Sequence, residues 1–170
     1  MPRIVLFQPE IPPNTGNVAR TCAATGCELH LIEPLGFSLD DRHLRRAGLD
    51  YWPLVQLERH GGLRSFLEVQ GRRGGRLVAL SSRASTPYTT FHFAADDWLL
   101  FGRESDGLPE ELRAEASSCL AIPMAHSSQR QPGGVRSLNL SVSVGVVLFE
   151  ALRQLNPQGT WCPGSSGSAS

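Results

Sequence analysis

The amino-acid sequence predicts an α/β protein with a mainly parallel sheet that is covered by helices on both faces. The main observation is that short β-rich runs alternate along the chain with helical patterns. The second is that 170 residues with 41% hydrophobic content are enough to bury one proper core. No internal repeat is visible, so a single domain is expected over residues 1–155, followed by a disordered Gly/Ser-rich tail over 156–170.

The first elements are a strand, an extended loop and a helix. Residues 3–8 are predicted to form the strand, and Pro12 and Pro13 keep the following loop extended. Asn14 is expected to cap a helix that runs to about Ala24, and Gly26 ends it.

The middle of the chain repeats this alternation less clearly. Residues 29–32 are predicted as a strand, 40–47 as a helix and 63–69 as another helix, while Val55 falls in a weakly marked strand.

The second half carries the most apolar strands and the longest helix. The predicted elements are strands at 77–81 and 98–101, a short helix at 109–116, a strand at 119–122 and a final helix at 138–155.

Composition excludes several function classes. The cysteines at 22, 27, 119 and 162 form no C-x-x-C pair, and the five histidines form no visible constellation, so no metal site is expected. The chain has no lysine and no G-x-G-x-x-G, which excludes a P-loop NTPase and a Rossmann dinucleotide site. No apolar run approaches the roughly 20 residues that span a bilayer, and a cytoplasmic protein without a membrane partner is predicted.

Charge alone gives no sign of a nucleic-acid partner. The sixteen basic residues, all arginine, balance sixteen acidic ones, so there is no global basic field.

Three polar segments lie where helices begin or strands end. They are residues 11–20 (IPPNTGNVAR), residues 101–109 (FGRESDGLP), and Ile122-Pro123-Met124 followed by residues 137–141 (SLNLS). Helix starts offer unpaired N–H groups and a positive dipole end, and glycines let the backbone approach a ligand closely. Capping alone does not require so many small polar residues, so these segments predict a ligand site.

Together, these segments resemble the three motifs of SPOUT methyltransferases. The sequences HLIEP at 30–34 and LRRAGLDY at 44–51 are similar to the subfamily of tRNA (cytidine/uridine) 2′-O-methyltransferases that act on the wobble position. The resemblance covers about residues 3–155. It implies a deep C-terminal trefoil knot, S-adenosylmethionine (SAM) as cofactor, a homodimer, and the anticodon stem-loop of tRNA as substrate.

The resemblance also implies which residues form the site. The SAM contacts of the family fall on five positions here, which are Leu80, Gly102, Gly107, Ile122 and Ser137. The family's ribose-acting arginine corresponds to Arg20, which we interpret as a cation that binds the adjacent phosphate and stabilises a developing alkoxide. Glu104 could anchor Arg20 or a neighbouring asparagine, and we group it with Asn14 as catalytic.

Substrate contacts are expected from three further residues. Asn17 shares a helix face with Arg20, and Asn139 orders the loop before the last helix together with Ser137. Arg136 aligns with the arginine that precedes the family serine and could contact RNA. The segment 125–136 is longer than the linker usual in the subfamily, and its Gly-Gly and Pro predict a mobile loop.

The last helix also suggests how two subunits would meet. Its face formed by Val142, Val146, Phe149 and Leu152 suits subunit packing.

Three functions remain open at this point. The first is SAM-dependent 2′-O-methylation of the ribose of nucleotide 34 of tRNA, a cytidine or a modified uridine. The second keeps the fold and the chemistry but acts at another tRNA or rRNA position. The third is a dimeric RNA-binding module without activity.

Overall fold

The computed structural model describes residues 1–38, 51–125 and 133–156. The helix predicted at 40–47, most of the long 125–136 loop, Cys162 and the tail after residue 156 lie outside the described residues.

The described residues form seven strands and four α-helices. The elements are β1 (Arg3–Phe7), α1 (Pro12–Thr25), β2 (Leu29–Ile32), β3 (Leu57–His60), α2 (Leu63–Arg73), β4 (Leu77–Leu80), β5 (Thr86–Pro87), β6 (Trp98–Phe101), α3 (Glu110–Glu115), β7 (Ser118–Ala121) and α4 (Leu140–Leu155). Two short 3₁₀ helices lie at Trp52–Leu54 and Tyr88–Thr90.

The strands form one sheet in the order β3-β2-β1-β6-β4-β7-β5, and every pairing among these described strands is parallel. The predicted α/β class with a parallel sheet is therefore confirmed. The trefoil knot stays a prediction.

Apolar side chains cover both faces of the central strands. On β1, Ile4 and Leu6 belong to the core that also contains α1 and α4, whereas Val5 and Phe7 belong to the core on the other face with Phe66 of α2. Strands β2, β4 and β6 are buried at every position, as continuous apolar runs in a parallel sheet require. This double burial fixes the sheet between two helical layers.

Several predicted boundaries and one predicted cap are wrong. Helix α1 begins at Pro12 with Ile11 at its N-cap, so Asn14 lies inside the first turn and does not cap it. Proline is favoured at the first helical position because it has no N–H to leave unpaired. Gly26 ends the helix as predicted, in a left-handed conformation.

The second half differs in smaller ways. Val55 is not in a strand, since it follows the 3₁₀ helix, and the strand is Leu57–His60. Helix α2 extends to Arg73, and the last helix begins at Leu140 rather than Leu138, with Asn139 as its N-cap.

Two further sequence interpretations need correction. Leu152 does not lie on an exposed face of the last helix, because it is buried in the core. Cys119, which the usual burial of free cysteine predicts to be a core residue, is only half-buried. Within the described parts of the chain, no helix is long and apolar enough to cross a membrane.

The expectation that the histidines form no constellation is also wrong. His30 Nδ1 and His60 Nε2 are 3.0 Å apart, and both side chains are buried. The parallel register pairs His30 with Glu58 and Ile32 with His60, which places both rings on one face of neighbouring strands. Burial lowers the pKa of both imidazoles below the ordinary value of 6.5 because it disfavours the charged form.

Acid is therefore expected to destabilise the fold through these histidines. Their pKa is lower in the folded than in the unfolded protein, so stability is complete above about pH 6.5 and is lost as the pH falls below it. Below about pH 6.5 the free energy of unfolding should fall by up to about 1.4 kcal/mol per pH unit for each histidine. Urea titrations followed by circular dichroism measure this.

A matched pair of variants tests whether the buried histidines cause this pH dependence of stability. His60→Gln should flatten the pH dependence, whereas His92→Gln, which changes an exposed histidine, should not. Equal slopes in His60→Gln and the unsubstituted protein would contradict the assignment.

Candidate functional site

A cavity of about 540 Å³ opens at the carboxyl ends of the central strands β4, β6 and β7. Leu80, Phe101 and Leu120, from the ends of these three strands, form its floor. In open parallel sheets, ligands bind beyond the carboxyl ends of the strands, where the loops diverge. The volume lies within the range of small-molecule sites.

All five residues predicted to bind a cofactor line this cavity. They are Leu80, Gly102, Gly107, Ile122 and Ser137. They come from the end of β4, the loop after β6 and the connection between β7 and α4, so the fold brings together residues that are spread over positions 80 to 137 of the sequence. The contacts themselves stay a prediction.

The loop after β6 folds back on itself at the cavity wall. Arg103 and Gly107 exchange both backbone hydrogen bonds, at 3.2 and 3.0 Å, and Gly107 has φ +78°. A Cβ at Gly102 would lie 2.3 Å from the carbonyl carbon of Gly107. Only glycine fits at 102 unless backbone moves.

One chain of polar contacts crosses the cavity from this loop to the last helix. The Asn14 Nδ2 group donates to Glu104 at 3.0 Å, and Asn139 Nδ2 donates to Asn14 Oδ1 at 2.9 Å. Asn139 Oδ1 then accepts from the backbone N–H of Ser141 at 2.9 Å, which caps α4. Asn14, Glu104 and Asn139 are thus joined, as the sequence interpretation allowed for Glu104 and Asn14.

The Glu104 carboxylate also fixes the segment before α1. It accepts from the backbone N–H of Glu10 at 2.8 Å and of Ile11 at 3.3 Å. In return, the carboxylate of Glu10 accepts from both the N–H and the hydroxyl of Ser105, each at 2.9 Å. These reciprocal contacts lock the β6 loop onto the start of α1.

Sequence reasoning did not find Glu10 and Ser105. Glu10 lies just before the segment 11–20 and Ser105 lies within the segment 101–109, but the two are 95 positions apart, so spacing along the sequence does not indicate their contact. The only indication in the sequence is that Glu10 is an acidic residue in the loop between β1 and α1.

Arg20 and Asn17 do not line the cavity. Both are exposed on α1, and the Arg20 guanidinium lies 5.5 Å from the centre of the Tyr51 ring. Arg136 does line the cavity and is exposed, next to Ser137. The structure therefore separates the predicted catalytic arginine from the other site residues of the same chain.

Most arginines in the described part of the chain form ion pairs with carboxylates. Two of the arginines that line the cavity form no such pair within this part. Arg103 is paired with Asp106 at 2.6 Å, whereas Arg83 and Arg136 line the cavity without an ion pair to any described residue. Arg20 and Arg72 likewise have none among the described residues. Free guanidinium groups at a cavity rim favour a phosphate-bearing ligand.

The parallel sheet and the cavity at its carboxyl edge define an α/β protein with a site for a small ligand. The sequence profile of the SpoU rRNA Methylase family matches residues 1–149. The chain belongs to this family, which confirms the predicted resemblance.

Two named relatives are similar to this chain over nearly the whole of both sequences. A protein of Polaromonas sp. (strain JS666 / ATCC BAA-500), named tRNA (cytidine(34)-2'-O)-methyltransferase, is 47% identical over 96% of both chains. One of Escherichia coli (strain K12) with the same name is 45% identical over 94% of this chain and 97% of its own.

Solved structures share the fold. A structure concerned with the 2-OH methylation of C/U34 on tRNA is 53% identical, with a TM-score of 0.84, and covers 92% of this chain and 97% of its own. The AdoMet-bound rRNA methyltransferase from Sinorhizobium meliloti is 29% identical, with a TM-score of 0.78, over 91% of this chain and 56% of its own.

The close approach at Gly102 yields a direct test of the cavity wall. Gly102→Ala should displace the 102–108 loop and weaken SAM binding at least about tenfold, because the new Cβ meets backbone rather than a flexible side chain. Isothermal titration calorimetry with SAM measures this.

Gly71→Ala is the matched control. Gly71 lies in α2 with nothing within 4 Å of an added Cβ, so this variant should bind as the unsubstituted protein does. If Gly102→Ala also binds normally, the loop does not shape the cofactor site.

Proposed function

We propose that this protein transfers a methyl group from SAM to the ribose 2′-hydroxyl of nucleotide 34, a cytidine or a modified uridine, in the tRNA anticodon loop. The observation that carries the proposal is the cavity of three converging motifs in a chain that matches wobble-position methyltransferases over nearly its full length. We place this activity in the cytoplasm, where its tRNA substrate is modified.

The residues of the cavity fit SAM. Leu80 and Ile122 offer apolar surface for an adenine ring, while the Gly102 and Gly107 backbone admits close contact with polar parts of a ligand. When bound, SAM supplies a methyl group already activated by its sulfonium. The protein must then bind, orient and exclude water rather than form a covalent bond.

Glu104, Asn14 and Asn139 act as positioning residues in this proposal. Their mutual hydrogen bonds engage both Asn14 side-chain atoms and much of the Glu104 carboxylate, so these groups serve chiefly to hold the loops. Asn139 couples this chain of contacts to the dipole of α4. Loops held rigidly in this way would keep the ribose 2′-hydroxyl aligned with the methyl group of SAM.

The tRNA backbone would bind to guanidinium groups at the rim. Arg136 and Arg83 line the cavity and have no ion pair among the described residues, so their charge is available for phosphate. Because the chain carries no net charge, such local groups must supply the attraction. Two subunits would double the number of these groups.

A homodimer through α1 and α4 is part of the proposal. Val142 and Phe149 on α4 are 51% and 57% exposed, and Ile11 before α1 is 44% exposed. Helices α1 and α4 pack against each other, so these side chains belong to one side of the molecule. Apolar side chains of this size favour a subunit interface.

Arg20 would then act beside the cavity of the neighbouring subunit. It is exposed on α1, outside the cavity of its own chain, and the proposed interface includes α1. As a cation it would bind the phosphate next to nucleotide 34 and stabilise the developing alkoxide, with Asn17 contacting the substrate beside it.

Mapping the methylated nucleotide tests the function. Incubation with SAM and unmodified total tRNA should place a 2′-O-methyl group at position 34, detected by mass spectrometry of nuclease fragments. Methylation at another tRNA position, or of rRNA alone, would support the second function. SAM binding without methylation of any RNA would support the non-catalytic module.

Arg20→Ala tests the assignment of the catalytic cation. It should preserve the fold and SAM affinity while lowering single-turnover methyl transfer by about a hundredfold or more, the scale for removing a preorganised charge partner. Arg20→Lys should recover only part, because a point charge does not reproduce the planar fork.

Two controls sharpen this test. Arg72→Ala removes an exposed arginine of α2 that also lacks an ion pair in the described chain, and it should leave turnover unchanged. A mixture of Arg20→Ala and Gly102→Ala subunits should regain activity if each cavity uses the arginine of the other subunit. Near-native turnover of Arg20→Ala alone would remove Arg20 from the mechanism.

A further inference from the structure

The described chain contains a second cluster of chemically active side chains, on the edge of the sheet farthest from β5. His30 on β2 and Glu58 and His60 on β3 each offer one ligand atom, and these three atoms lie within 4.8 Å of one another. The histidine side chains are buried, whereas the Glu58 side chain is 46% exposed. We propose that His30, Glu58 and His60 bind a divalent transition-metal ion of the zinc class.

The contacts of His30 orient it as a metal ligand. Its Nε2 lies 3.1 Å from Glu28 Oε2, so the ring donates Nε2–H to that carboxylate and its Nδ1 lone pair faces the cluster. Glu28 is in turn held by two hydrogen bonds from Arg73, each 2.7 Å long. A carboxylate behind a histidine in this way fixes the ring and raises its basicity in metal sites.

The distances are close to those of a four-coordinate site. His30 Nδ1 lies 3.0 Å from His60 Nε2 and 3.6 Å from Glu58 Oε2. Tetrahedral zinc with metal–nitrogen bonds of about 2.0–2.1 Å needs ligand atoms roughly 3.3 Å apart. The two rings must therefore separate by a few tenths of an ångström, and the half-exposed Glu58 carboxylate must close toward His60, since the three ligand atoms now lie within 4.8 Å of one another. A water on the exposed side of Glu58 completes four ligands.

A direct hydrogen bond between the two rings is the competing explanation for their approach. It accounts for the 3.0 Å distance, but it does not require Glu58 on the same side. When an ion enters, it takes the place of the hydrogen between the rings, which moves to the other nitrogen of His60. Two neutral imidazoles and one carboxylate form the donor set that zinc-class ions prefer over calcium or magnesium.

The aromatic side chains around the cluster favour tight binding of a metal ion, and the position of the cluster suggests that the ion has a structural role. The ring of Trp98 lies 4.8 Å from His30, and Phe66 packs edge-on against His60 at 5.3 Å. Such an apolar shell limits water at the ion and strengthens its electrostatic contacts. Since β3 is an edge strand, an ion here would fasten it to β2.

Metal titration of the full chain tests the proposal. After dialysis against a chelator, zinc measured by calorimetry should bind one ion per chain and raise Tm. Cobalt(II) should give the intense visible bands of four-coordinate geometry. Glu58→Gln, at an exposed position that should not affect folding, should weaken zinc binding at least about tenfold. His60→Gln should abolish it.

Glu68→Gln is the matched control, because it neutralises an exposed carboxylate on α2 outside the cluster and should leave zinc affinity unchanged. If His60→Gln does not fold, Glu58→Gln decides alone. Failure of the unsubstituted chain to bind zinc, cobalt or nickel would overturn the proposal and leave only the hydrogen bond. So would equal zinc affinities of Glu58→Gln and Glu68→Gln.

Discussion

The carboxylate of Glu104 is the interaction on which the architecture of the cavity depends. Helix α1 begins with two prolines, which carry no N–H, and Glu104 accepts hydrogen bonds from the N–H groups of Glu10 and Ile11 just before them. The same carboxylate binds Asn14, which is bonded to the N-cap of α4. A partly buried charge that satisfies several donors is strongly destabilising to remove. The loop after β6, helix α1 and helix α4 are therefore fixed as one unit.

The parallel sheet explains why these loops meet at all. Each strand of such a sheet ends at the same edge, so segments far apart in sequence arrive side by side. Asn14 and Asn139 are 125 positions apart yet share a hydrogen bond. The apolar floor of strand ends and the polar walls of loops then follow from the topology, and glycine at 102 permits the tight return of the loop.

The sequence predicts well those features that depend on local pattern. Continuous apolar runs such as LVAL at 77–80 and WLLF at 98–101 identify buried strands because both of their faces are covered. Local pattern does not locate strand β3, because an edge strand of sequence LERH has no such run. Local pattern predicts Asn14 to be a helix cap, whereas its hydrogen-bond partner is Glu104, ninety positions away, which no local pattern reveals. The approach of His30 to His60 depends on strand register, which residue spacing does not reveal.

The distribution of charge explains how a neutral chain can handle a polyanion. The bidentate pairs Arg73–Glu28 and Arg76–Asp97 use arginine to hold separate segments together away from the cavity, and Arg153–Glu150 forms a further bidentate pair within α4. Such pairs cancel in the long-range field, so they contribute little to attraction of RNA. The guanidinium groups of Arg83 and Arg136, which line the cavity unpaired among the described residues, are not cancelled in this way. Two guanidinium groups without an ion pair in the described chain therefore lie at the cavity, where the proposed function requires a substrate phosphate, and net charge alone does not reveal them.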